Sequence, residues 1–263
     1  MLIFQYDWKR TRRLILIWAA ALAVCIFLMV PVYYGMIETA GTLPENFAQG
    51  GFFETVGVSL ALLTEPLGMY SFLTGFFMIA GGIFGMHLGL SLHTRECTEN
   101  TAEYLYTKPC GRRMIYMGKA LCALAGTGIA GVSYLLASFS TMRIFRGEFP
   151  QREFWLVAAS FPLLTLFFAA FGLLAGIYKP NNRSPLLTSG LTVFITYCVT
   201  SFSRTVDIRI IGFLSPFSFF APSVIHETGF YQWDYMLWYL VLLGVFFALA
   251  YRELLRRDVS VAV

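Results

Sequence analysis

Six apolar stretches follow one another along the chain, at about 14–36, 71–92, 120–142, 154–178, 186–202 and 235–251. Each is close to the roughly 20 residues that a membrane-crossing helix needs. The pattern predicts an all-α membrane protein of six transmembrane helices, forming one transmembrane domain over 1–263. One long polar, basic segment interrupts it between the second and third spans, at residues 93–119 (HTRECTENTAEYLYTKPCGRRMIYMGK). Two further stretches, 47–63 and 208–225, are apolar but too short or too broken to add a span. They predict re-entrant or interfacial helices, the second within an outer segment at 203–234. The leader 1–13 sets Leu2, Ile3, Phe4 and Trp8 against a basic cluster. It reads either as an amphipathic interfacial segment or as a basic flank.

Within the polar segment, Asn100 and Glu103 have the spacing of a capping box, and Pro109 with Gly111 supplies a stop. A short helix over 101–107 is expected, with Arg112 and Arg113 opening the next span. So few residues cannot hold a helix in isolation, so this one must pack on something. Tyr104, Leu105 and Tyr106 offer an aromatic surface, which suits a partner's groove or the protein's own inner face.

Composition agrees with a bilayer environment. The chain is 57% hydrophobic, 17% aromatic and only 13% charged, against roughly 45–50% apolar and 25% charged in soluble domains. Positive residues in short loops favour the cytoplasmic side. With both termini inside, 14 of the 19 lysines and arginines fall on that side and five outside, at Arg143, Arg146, Arg152, Arg204 and Arg209. The first apolar run is too long for the roughly 7–15 residues of a cleaved signal and reads as a retained anchor.

Candidate chemistry is sparse. The five cysteines show no CxxC and no nearby histidine pair, so no metal site is expected. No GxxxxGK[ST] occurs, so the chain lacks the phosphate-cradling loop of the usual ATPases. Neither HExxH nor clustered His, Asp or Glu in neighbouring spans points to an integral-membrane enzyme. His87 is the one titratable group, tyrosines apart, placed well inside a span, with His93 at an inner edge; an ion-driven carrier would be expected to show more. Gly81, Gly85 and Gly89 repeat every four residues along the second span, a smooth face for close helix packing or for sliding. Phe213, Phe217, Phe219 and Phe220 suit anchoring at the outer headgroups; an outer cap is what the family resemblance described below implies for them. Glu54, Glu65, Asp207 and Arg209 either recognise a polar group or are solvated. Abundant Phe, Tyr and Met favour an amphipathic peptide, a lipid-like molecule or a hydrophobic drug over a small inorganic ion.

Residues Glu99, Thr101, Glu103, Tyr104, Leu105, Thr107, Pro109 and Arg112 resemble the cytoplasmic loop of ABC type-2 transporter permeases, the membrane subunits of bacterial ABC exporters. The outer LSPFSFFAP at 214–222 and the tail YRELLRRDV at 251–259 resemble the same family. Cys110 and Gly111 depart from it, standing where a small aliphatic residue and a serine are more usual. The resemblance implies that the loop is a coupling helix seated in a separate cytoplasmic ATPase subunit. It also implies a pathway formed with a second copy or a related permease, and a multi-pass location in the bacterial cytoplasmic membrane. No cofactor is expected on this chain, since ATP and Mg belong to the partner, and no nucleic acid is expected as a partner. The other reading of the chain is a stand-alone secondary carrier or channel.

Overall fold

The computed structural model describes residues 2–39, 65–99, 111–146, 149–206 and 208–256. Nine helices account for nearly all of them: α1 Leu2–Thr39, α2 Pro66–Thr98, α3 Arg112–Arg146, α4 Gln151–Tyr178, α5 Pro185–Val206, α6 Arg209–Gly212, α7 Pro216–Phe219, α8 Pro222–Thr228 and α9 Trp233–Arg256. Among the described residues six helices, α1 to α5 and α9, are long and apolar enough to cross a membrane. Helices suit that setting because each satisfies its own backbone hydrogen bonds where lipid offers none. Serine and threonine hydroxyls within them donate back to carbonyls one turn earlier, as Thr74 does to Tyr70 at 2.8 Å and Thr165 to Phe161 at 2.8 Å.

The spans alternate in direction. The start of α1, the end of α2, the start of α3 and the end of α9 therefore meet at one end, called the loop end because it flanks residues 100–110. Arg112 of α3 donates to the Leu255 carbonyl of α9 at 2.9 Å there, and Tyr116 to the Phe247 carbonyl at 2.8 Å. The short helices α6 to α8 occupy the far end.

The centre of the bundle is the contact between α2 and α4, with α1 on α3, α3 on α4, and α5 and α9 more peripheral. Most of α2 and α4 is buried, whereas only a small share of α5 and α9 is. The approach of α2 to α4 requires glycine. A Cβ at Gly85 would lie 2.2 Å from the Thr165 carbonyl oxygen, and one at Gly89 would lie 2.2 Å from that of Ala169. At Gly81 it would meet the Phe161 ring at 2.4 Å, and from the other helix a Cβ at Gly172 would meet the Met86 carbonyl at 2.5 Å. Around this seam lies an aromatic core. Tyr134 of α3 stacks on Phe161 with centroids 4.1 Å apart, accepts from Tyr70 at 3.3 Å and donates to Thr74 at 3.1 Å. Pro162, inside α4, seats its ring against Gly131 of α3.

Three expected boundaries shift. The leader 1–13 is continuous with the first span, since α1 runs unbroken from Leu2 and buries Ile3, Asp7 and Thr11. The polar segment 93–119 is largely helical at its edges, since α2 continues to Thr98 and α3 begins at Arg112. The outer segment begins later than 203, because α5 reaches Val206. The reason is common to all three. Apolar runs mark where hydrocarbon lies, while the backbone ladder continues outward as long as charged side chains find partners.

At the far end, α6, α7 and α8 fold over the bundle and add no span. Ser215, ahead of α7, accepts from Thr200 at 2.6 Å and donates to the Thr196 carbonyl at 2.6 Å, which pins the cap to α5. α8 ends at Gly229, whose φ of 69° is the left-handed conformation that glycine adopts without strain, and its N–H closes on the Ile225 carbonyl at 2.8 Å.

The α2–α4 seam carries a direct test. Gly85→Ala should lower the thermal stability of the purified protein by about 1–3 kcal/mol, the usual cost of overpacking. Gly75→Ala, where a Cβ meets nothing within 4 Å, should leave the melting temperature unchanged. Equal melting of both variants would contradict the seam.

Candidate functional site

The loop end gathers charged residues from three helices. Lys119 of α3 is almost completely buried, with 1% of its side chain exposed, and it donates to Glu96 of α2 at 2.5 Å and to the Leu92 carbonyl. Asp7 of α1 is buried within electrostatic reach of Lys119, Glu96, Arg10 and Arg95, and its Oδ2 makes no hydrogen bond. Arg10 of α1 pairs with Glu99, the last described residue before the loop, and donates to Tyr6 at 3.1 Å. Three acids, Asp7, Glu96 and Glu99, thus face three bases, Arg10, Arg95 and Lys119. His93 is buried beside them with neither ring nitrogen hydrogen-bonded, and its Cβ lies against Gly176 of α4.

Local helix chemistry explains the arrangement. Lys119 sits two turns into α3, where its long stem crosses to the last turns of α2, and its ammonium meets both a carboxylate and a carbonyl near that helix's negative end. Asp7 lies near the positive end of α1. A buried pair of this kind adds little net stability over an apolar pair, yet leaving either partner alone is costly. It therefore acts as a registration device, fixing how α1, α2 and α3 meet.

The sequence-derived candidates are distributed as follows. Glu99 and Arg112 stand at the two edges of the loop, tied to α1 and α9 respectively. Thr101, Glu103, Tyr104, Leu105, Thr107 and Pro109 lie outside the described residues, as does Glu54 of the first outer stretch. Gly81, Gly85 and Gly89 face α4, as described above. Phe217, Phe219 and Phe220 are buried and Phe213 is half-buried; Phe213 packs on Tyr235 at 4.7 Å and Phe220 on Tyr239 at 4.9 Å. His87 is half-buried and interacts with the Pro185 backbone at the start of α5. Glu65 pairs with His226 of α8 at 3.2 Å, and Arg209 pairs with Asp234.

One expectation needs correction. Ionisable groups do gather on neighbouring helices, at Asp7, His93, Glu96 and Lys119, because α1, α2 and α3 extend past their apolar runs. A lone lysine inside the stretch MGKALCALAG was the available signal, since an unpaired cation is seldom tolerated there.

A bundle of six apolar helices, closed by short helices at one end and by an ion-paired cluster at the other, defines a multi-pass integral membrane protein. The family described as ABC-2 family transporter protein matches residues 1–259, nearly the whole chain, and the chain belongs to that family. It is accordingly the membrane subunit of an ABC transporter, a type of subunit that normally lacks ATPase motifs and associates with ABC ATPase subunits. No curated protein matches the chain.

The cluster predicts non-additive mutants. Lys119→Met should cost about 3–5 kcal/mol by removing the buried cation that Glu96 accepts from, and adding Glu96→Leu should restore a large part of the loss. Thermal melts of the single and double variants measure this. A double variant as unstable as the sum of the singles would rule out direct coupling of the pair.

Proposed function

We infer that this chain forms the substrate pathway of an ATP-driven export system and receives its energy through the loop at 100–110. In this reading the loop end, with both termini, faces the cytoplasm of a bacterial cell, and the short helix at 101–107 seats in a cleft of a separate ATPase subunit. A second copy or a related permease completes the pathway, meeting this chain through the exposed faces of α5 and α9. ATP and Mg are bound by the ATPase, and this chain supplies no cofactor site.

The observation that carries the reading is the anchoring of the loop at both edges. Glu99 is tied to α1 through Arg10, Arg112 is tied to α9 through the Leu255 carbonyl, and just inside them Lys119 joins α3 to α2. A displacement applied to the loop by a closing ATPase would therefore reach four spans at once. A loop that only connected two helices would need no such ties. The favourable cytoplasmic count of lysines and arginines supports the same orientation.

Charge reversal at the loop tests it. Tyr104→Glu with Leu105→Glu should leave insertion and yield unchanged while abolishing copurification of the ATPase from native membranes. Undiminished copurification, or full-rate gradient-driven transport by this chain alone in liposomes, would favour a stand-alone carrier instead.

A further inference from the structure

At the loop end a groove of about 850 Å³ lies where the first turn of α1 meets α3. Ile3 and Phe4 form one wall, and α3 supplies the other from Arg113 to Ala125. Gly118 makes the floor: a Cβ there would lie 3.1 Å from the Ile3 side chain and 3.2 Å from the Phe4 nitrogen, so α1 sits close against α3 at that level. Phe4 is itself held by stacking on Trp8, with ring centroids 5.9 Å apart. Met114, Met117, Leu121 and Leu124 follow one another three and four residues apart, which puts them on one face of α3. All four are exposed, Met117 to 60%. Among the described residues Arg113 is the one charged side chain that lines the groove, and it too is exposed.

The buried pair Lys119–Glu96 marks the depth of this groove, since the third apolar run opens just after it at Ala120. Leu121, Leu124 and Ala125 therefore line its hydrocarbon part. Arg113 stands six residues nearer the loop, about 9 Å along the helix axis. That is headgroup level, because headgroups add roughly 5–8 Å per side to a core of about 30 Å. The groove thus runs from headgroups into acyl chains with a cation at its polar end.

From this geometry we propose that the groove binds an anionic phospholipid of the leaflet at the loop end. Arg113 holds the phosphate, and one acyl chain lies along Met117, Leu121 and Leu124 against Phe4. A guanidinium meets a phosphate with two parallel N–H···O bonds. The unbranched methionines let that wall adapt to a tail. The volume falls within the roughly 300–1,000 Å³ of small-molecule sites. Charge selects lipid over a second copy of this chain. Lys9, Arg12 and Arg13, in the first four turns of α1, are exposed at the same end as Arg113. A two-fold contact sets a patch against itself and would bring these like charges together, whereas an anionic headgroup attracts them. Binding does not rest on the export reading, which places a second copy on α5 and α9.

Native mass spectrometry of the delipidated full-length protein tests this without nucleotide or ATPase, so its failure leaves the coupling scheme standing. Phosphatidylglycerol should be retained over phosphatidylcholine of the same acyl chains by roughly fivefold, the size expected of one basic side chain at an anionic surface. Arg113→Gln should bring the two lipids close to parity with the melting temperature unchanged. Arg256→Gln, which removes an exposed base of α9 at the same end, should leave the preference intact. Leu121→Trp, which fills the groove and keeps Arg113, should weaken both lipids while preserving their ratio. Equal retention of the two lipids by the wild type would overturn the proposal. So would an undiminished preference in Arg113→Gln, unchanged retention in Leu121→Trp, or a protein dimer that excludes lipid and is broken by Leu121→Trp.

Discussion

The close approach of α2 to α4 is the contact on which the rest of this bundle depends. Lipid tails are as apolar as leucine, so burying leucine between two spans gains little inside a bilayer, and helices hold together through van der Waals contact at short range. Gly85 and Gly89 place the α2 backbone against the carbonyls of Thr165 and Ala169, and Gly172 returns the contact from α4. Everything else is arranged around that seam. α3 lays Tyr134 and Gly131 against α4, α1 rides on α3, and α5 and α9 flank the pair with few of their residues buried.

Charge then decides how the ends are finished. At the loop end the arrangement is internal: Lys119, Glu96, Asp7 and their neighbours balance one another across α1, α2 and α3 and hold the two edges of the loop to the bundle. At the far end Arg209 pairs with Asp234 and Glu65 with His226, while Ser215 pins the short helices to α5.

The six spans were legible because hydropathy reports where hydrocarbon lies, and the α2 glycines were legible because small residues at four-residue spacing form one smooth face. Helix ends were not. Arg95, Glu96 and Lys119 read as loop charges since composition alone cannot show that each has a partner on another helix, and pairing is what lets α2 run on to Thr98 and α3 start at Arg112. Arg204 was assigned to an outer loop for the same reason. The phenylalanines at 213–220 were visible as an apolar cluster, but the break at Ser215 between α6 and α7 is held by its bonds to Thr196 and Thr200, a contact between segments that no local pattern encodes.

If the loop end receives the stroke of an ATPase as proposed, the glycine seam should carry α2 and α4 as one rigid unit while α5 and α9 shift around it. Distances between spin labels decide this most directly, using the exposed positions Thr98 and Lys179 to report the inner ends of α2 and α4, and Thr98 with Arg252 to report α9. In the assembled transporter, trapping the ATPase with bound nucleotide should leave the Thr98–Lys179 distance unchanged while the Thr98–Arg252 distance shifts. A change in the first distance as large as that in the second would contradict the account.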